Sequence, residues 1–149
     1  MPGPAALVAP PASAAAGGLR PVCRVFAGQP AQVAQARRFV GRVLSAGVVA
    51  DVGLTADAVL LTSELAANAI KHTASGQGGT FAVIIWPRPP AIRICVTDGG
   101  APTGPSVAAP GPLTASGRGL AIVEALASQW GHHAGPSGRT VWFELSGRL

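Results

Sequence analysis

Apolar residues recur at Leu54, Ala58, Leu61, Leu65 and Ala69, the three-and-four spacing of a helix with one buried face. The pattern predicts a helix from about Thr55 to Thr73. Upstream, Val33, Arg37, Phe39, Val40, Val43 and Leu44 fall at near-helical spacing between Ala31 and about Ala46. Pro30 suits that helix's first turn and Gly47 ends it. RPVCRVF, beginning at Arg20, sets Val22, Arg24 and Phe26 against Cys23 and Val25, the alternation of a strand. TFAVIIW from Thr80 and AIRICVTD from Ala91 are β-rich runs joined by a tight PRPP link. GLAIVEALASQW predicts a helix carrying Leu120, Val123, Ala127 and Trp130 on one face. A short strand at GHH, a turn at Gly135–Gly138 and a last strand through Leu145 close the chain.

The order strand, helix, helix, strand, strand, loop, helix, strand, strand predicts an α/β fold. Its expected form is a two-layer α/β sandwich, a mixed β-sheet covered on one face by helices. Residues 1–19 are rich in Pro and Ala and read as a disordered leader, which leaves 20–149 as one domain. Residues 99–117 are too rich in Gly and Pro for regular structure and too long for an ordinary connection, so they read as a functional loop.

Composition narrows the function. The chain has 149 residues, 48% hydrophobic and 11% charged, a globular balance for a single domain. Its net charge is +5, and every basic residue except Lys71 is arginine. Only Arg37, Arg38 and Arg42 cluster, and there is no Tyr, so a direct nucleic-acid surface is not expected. That cluster is a candidate docking surface for an acidic partner, although it also fits a solvated helix face. No apolar run reaches the ~18–20 residues of a membrane span. The N-terminal stretch lacks a basic start and is interrupted by Pro10 and Pro11, unlike a secretory signal, so a cytoplasmic location is expected. Cys23 and Cys95 lie in apolar runs and read as buried thiols. His132 and His133 have no third ligand at metal-binding spacing.

Three places carry candidate chemistry. Glu64, Asn68 and Lys71 stand at i, i+4 and i+7, one narrow stripe bordering the apolar face. A carboxylate, an amide and an ammonium in a row can serve as proton acceptor, Mg²⁺ ligand and phosphate partner. Spacing alone also fits an ordinary solvated face. Asp98 ends a strand before two glycines and can accept a hydrogen bond from a ligand's amine, or simply form an Asp-Gly turn. Gly117, Arg118 and Gly119 open a helix, where unobstructed N–H groups and the helix dipole bind phosphate; a plain loop-to-helix junction has the same wording.

Taken together, ELAANAIKHT, VTDGG, a long loop and GRGLAIVEALA resemble the asparagine box and the two glycine boxes of the GHKL superfamily. That superfamily includes gyrase, the MutL repair proteins, sensor histidine kinases and anti-sigma kinases. The resemblance spans roughly Val22 to Leu145. The small size, the LLTSELAANAIKHT wording and the closing GRTVWFEL are similar to the anti-sigma-factor serine kinases and to actinobacterial stand-alone ATP-binding regulators.

The resemblance implies ATP and Mg²⁺ as cofactors. It implies Glu64 as general base, Asn68 as the Mg²⁺ ligand and Lys71 near the phosphates. Asp98 would read the adenine amine, with Gly100 admitting the base, and Thr140 would stand at the adenine end. Residues 101–116 would form a lid, and Gly117, Arg118, Gly119 and Leu120 would meet the nucleotide beyond it. One position departs from the pattern: the last residue of the first glycine box is Pro102, which stiffens the backbone and removes a donor.

The implied activity is a protein serine/threonine kinase acting on a partner regulatory protein. A sigma factor and an anti-anti-sigma (STAS-like) protein are the implied partners, and a homodimer is compatible. The alternative is a non-catalytic, ATP-dependent binding module. A two-component histidine kinase would need a phospho-accepting His on an upstream helical pair, which the first 30 residues do not supply.

Overall fold

The computed structural model describes residues 20–48, 52–72, 78–98, 118–135 and 138–147. The expected leader, residues 1–19, and the expected lid lie outside the described residues. Strand β1 (Val22–Ala27) is followed by helix α1 (Ala31–Val43) and a π-helical turn, Leu44–Val48. Helix α2 (Val52–His72) leads to strands β2 (Thr80–Arg88) and β3 (Ala91–Asp98). Helix α3 (Arg118–Leu126), β4 (Gln129–Gly135) and β5 (Gly138–Ser146) complete the described chain.

The strands form one sheet in the order β1-β2-β3-β5-β4. The two-layer α/β sandwich is as the periodicity predicts, but the sheet is antiparallel in every described pairing, not mixed. The reason lies in the crossover. A helix-linked return from β3 to β4 makes those two strands run the same way. Strand β5 then inserts between them and turns both contacts antiparallel.

Strand alternation sorts the sheet into two faces. Phe26, Phe81, Val83, Ile85, Ile92, Ile94, Val96, Val141, Phe143 and Leu145 form one buried set and meet the helices. The helices answer with Ala36, Phe39 and Val40 from α1, and with Leu54, Ala58, Leu61, Leu65 and Ala69 from α2. Each large side chain so buried contributes about 1.5–3 kcal/mol, so this interface dominates the fold. Phe26 stacks on Phe81 at 5.3 Å and meets Phe39 edge-on at 6.0 Å, pinning α1 to the β1 edge.

The far face carries Trp86, Arg93, Trp142 and Glu144. Trp142 packs so closely on Gly131 that a Cβ there would lie 2.8 Å from its ring, so only glycine fits beneath it. Cys95 is buried on this face, whereas Cys23 is exposed on edge strand β1, against the expectation of two buried thiols. An edge strand has no neighbour on one side to cover it.

The last helix is shorter than its apolar pattern predicts. Its final helical bond runs from the Ala127 N–H to the Val123 carbonyl, and Ser128 then turns away, donating from backbone and hydroxyl to the Glu144 carbonyl. Trp130 belongs to β4 and sits opposite Phe143, because an apolar residue at that point satisfies either period.

Candidate functional site

Helix α2 passes over the ends of β3 and β5, and a small pocket lies between them. Leu65, Asn68 and Ala69 line it from the helix, Val96 and Asp98 from β3, and Arg139 and Val141 from β5. A wider depression lies towards the first turns of α2, lined by Gly53, Leu54, Asp57, Leu126, Ser128, Leu145 and Ser146. It holds none of the motif residues.

The stripe on α2 behaves as its spacing predicts. Leu61, Leu65 and Ala69 are buried, Glu64 and Asn68 are half-buried at the border, and Lys71 is exposed one turn further on. Asn68 therefore reaches the pocket with Asp98, while Glu64 stands one helical turn from Asn68. Asp98 is 7% exposed, which requires partners for its charge. Its Oδ1 accepts the Arg139 backbone N–H at 3.3 Å, and Arg139 Nε stands 3.9 Å from Oδ2.

Arg139 was not among the residues the motifs point to, yet it is 6% exposed and stands directly opposite Asp98 in the β3–β5 register. The signal was present in the alternation. Arg139 shares strand parity with the inward residues Val141, Phe143 and Leu145, so a charge there faces the helices. Gly138, just before it, has φ of +145°, which lets the chain leave the β4–β5 turn and enter β5 at once.

The same parity moves Thr140. Its hydroxyl lies on the far face, 3.0 Å from that of Thr97, and not beside Asp98 as the resemblance implies. Arg139, and not Thr140, is among the residues lining the pocket. Arg118, Gly119 and Leu120 begin α3, but their side chains, like Gly100 and Gly117, lie outside the described residues.

His132, on edge strand β4 beside β5, stacks with Trp130 at 6.3 Å. Burial holds its imidazole below the ordinary histidine range, with smaller contributions from the Arg139 and His133 charges. Among the described residues no three His, Cys, Asp or Glu side chains converge as a metal cluster, and no helix is long and apolar enough to cross a membrane.

The pocket combines an apolar slot with a buried carboxylate at its end and an amide at its side. No curated protein matches the sequence. The family model of the histidine kinase-like ATPase domain matches residues 26–145, every described element from the end of β1 to β5. The chain belongs to the histidine kinase-like ATPase domain family, which supports ATP binding by this domain.

Proposed function

We propose that this chain binds ATP with Asp98 at the base and transfers the γ-phosphate to a serine or threonine of a partner regulatory protein, as anti-sigma-factor kinases do. The observation that carries the reading is the placement of Glu64 one helical turn from Asn68, which itself lines the Asp98 pocket. A module that only bound nucleotide would need the pocket and not the carboxylate beside it.

The residues fit both bound groups. The buried Asp98 carboxylate between the Leu65, Val96 and Val141 walls suits a purine carrying an exocyclic amine. The Asn68 amide oxygen supplies a hard donor for Mg²⁺, which is commonly held by few protein atoms alongside phosphate oxygens and water. Bound Mg²⁺ would neutralise phosphate charge. Asp98 then orients the base, Asn68 fixes the phosphate end, and Glu64 takes the proton from the attacking hydroxyl. Lys71, exposed at the end of α2, and the backbone opening α3 are the further candidates for the phosphates. Arg37, Arg38 and Arg42 are exposed on α1 and offer an acidic partner a docking face away from the pocket.

The test is phosphate transfer from labelled ATP to a serine-bearing STAS-type protein in the presence of Mg²⁺. Transfer should occur and should be lost in Glu64→Gln, while ATP at about a hundred times its Kd still stabilises that variant by roughly 2.7 kcal/mol. ATP binding with no transfer to any partner would reduce the protein to a nucleotide-dependent regulator. Pro102, where a glycine is expected in the first glycine box, is the feature that favours this second reading.

A further inference from the structure

We propose that Arg139 is a base-reading residue, donating a hydrogen bond from its guanidinium to the ring nitrogen N1 of the adenine whose exocyclic amine Asp98 receives. The inference rests on the pocket being the base site.

The first support is burial. Arg139 is 6% exposed, and its side chain lines the pocket instead of reaching for solvent. A guanidinium is costly to bury unless its charge and its N–H groups are both answered. Asp98 answers the charge but not the hydrogen bonding, because 3.9 Å between Nε and Oδ2 lies within ion-pair range and beyond hydrogen-bond length. Arg88, on the far face, shows the other outcome: its Nη1 donates to Glu144 Oε2 at 2.5 Å.

The second support is register. Asp98 and Arg139 are direct cross-strand partners on the helix-facing side, so an acceptor and a donor stand next to each other at one end of an apolar slot. Among the described residues they are the only charged side chains lining it. Adenine carries on one edge a donor, the N6 amine, directly beside an acceptor, N1. A carboxylate and a guanidinium side by side complement that edge atom for atom. The Leu65, Val96 and Val141 side chains supply the walls for the ring faces.

The experiment measures dissociation constants of ATP and 1-deaza-ATP, which keeps the amine and lacks N1. The proteins are the full chain, Arg139→Leu, Arg139→Lys and Asp98→Asn. The unmodified protein should bind ATP about tenfold more tightly than 1-deaza-ATP, the worth of one charged hydrogen bond. Arg139→Leu should weaken ATP about tenfold and leave 1-deaza-ATP unchanged. Arg139→Lys, which keeps a charge and a donor, should retain part of the discrimination and serves if the leucine variant does not fold. Equal weakening of both nucleotides, or of neither, overturns the role of Arg139 alone. Asp98→Asn should weaken both nucleotides. If the unmodified protein binds no ATP, or if Asp98→Asn changes nothing, the pocket itself is misread and the inference falls with it.

Discussion

Glu144 and Asp98 are both buried in the sheet, yet arginine meets them in different ways. Glu144, on the far face towards the end of β5, accepts from Arg88 at 2.5 Å and has Arg93 Nη2 at 3.4 Å. Arg93 in turn lies 3.9 Å over the Trp142 ring. Asp98, on the helix-facing side at the start of the same pairing, accepts the Arg139 backbone N–H at 3.3 Å and has that residue's guanidinium Nε at 3.9 Å, and the two open onto an apolar pocket. The first cluster gathers two cations on one carboxylate under an indole, with Arg93 Nε left without a hydrogen-bond partner among the described residues. The second leaves hydrogen-bonding capacity facing a slot. Tightly paired charges hold strands together; slack ones beside apolar walls are where a ligand's polar edge can enter.

The sharpest way to break that contrast is to remove each carboxylate in turn. Glu144→Ala leaves two arginines facing each other and should cost about 3 kcal/mol of stability. Thermal unfolding should register a drop of roughly 6–12 °C for a domain of this size. ATP affinity should stay within about twofold, since the cluster is on the opposite face from the pocket. Asp98→Asn should weaken ATP binding at least about tenfold through a lost charged hydrogen bond, and because it leaves the buried Arg139 charge unanswered it should also cost about 3 kcal/mol of stability. An Asp98 variant that unfolds but still binds ATP tightly would erase the distinction. A smaller contrast tests the two faces at adjacent positions. Thr140→Val leaves the buried Thr97 hydroxyl unpaired and should cost about 1 kcal/mol. It should not change ATP affinity, because the Thr140 hydroxyl faces away from the pocket; weaker ATP binding would restore the place that the motif resemblance gives it.

Those positions also mark how far the sequence could be read. The α2 stripe was legible because helical period fixes which residues border a buried face, and Leu61, Leu65 and Ala69 are buried beside half-buried Glu64 and Asn68. Asp98 was legible as the end of a strand. Arg139 and Thr140 were not distinguished, because the motif names the strand, and only pairing register decides which of two neighbours faces the helices. The antiparallel sheet is illegible for a related reason. Local patterns give strands and a crossover, but not the insertion of β5 between β3 and β4. Trp130 satisfies a helix face and a strand equally well, so only the pairing with Phe143 assigns it to β4. The exposure of Cys23 depends on β1 being an edge, which no local pattern encodes.

The smallest expected effect tests whether Asp98 leaves part of the Arg139 charge unanswered. His132 titrates below the ordinary histidine range, first through burial, then through Arg139, then through His133. A guanidinium fully neutralised by its carboxylate would act weakly on an imidazole on the neighbouring strand. The sign of the pH effect follows from the direction of the shift. In the unfolded chain His132 gains its proton near pH ~6.5, and in the folded protein only at lower pH. Folding stability is therefore undiminished above about pH 6.5 and falls as pH drops from there towards the lowered folded value, below which the loss stops growing. His132→Gln should remove that part of the decline. Arg139→Leu should raise the His132 pKa, followed through its imidazole proton resonances, while Arg93→Leu in the far-face cluster should leave it in place. If both arginine variants moved His132 alike, Arg139 would be as well neutralised as Arg93, and the slack in the Asp98 pair would have no electrostatic consequence.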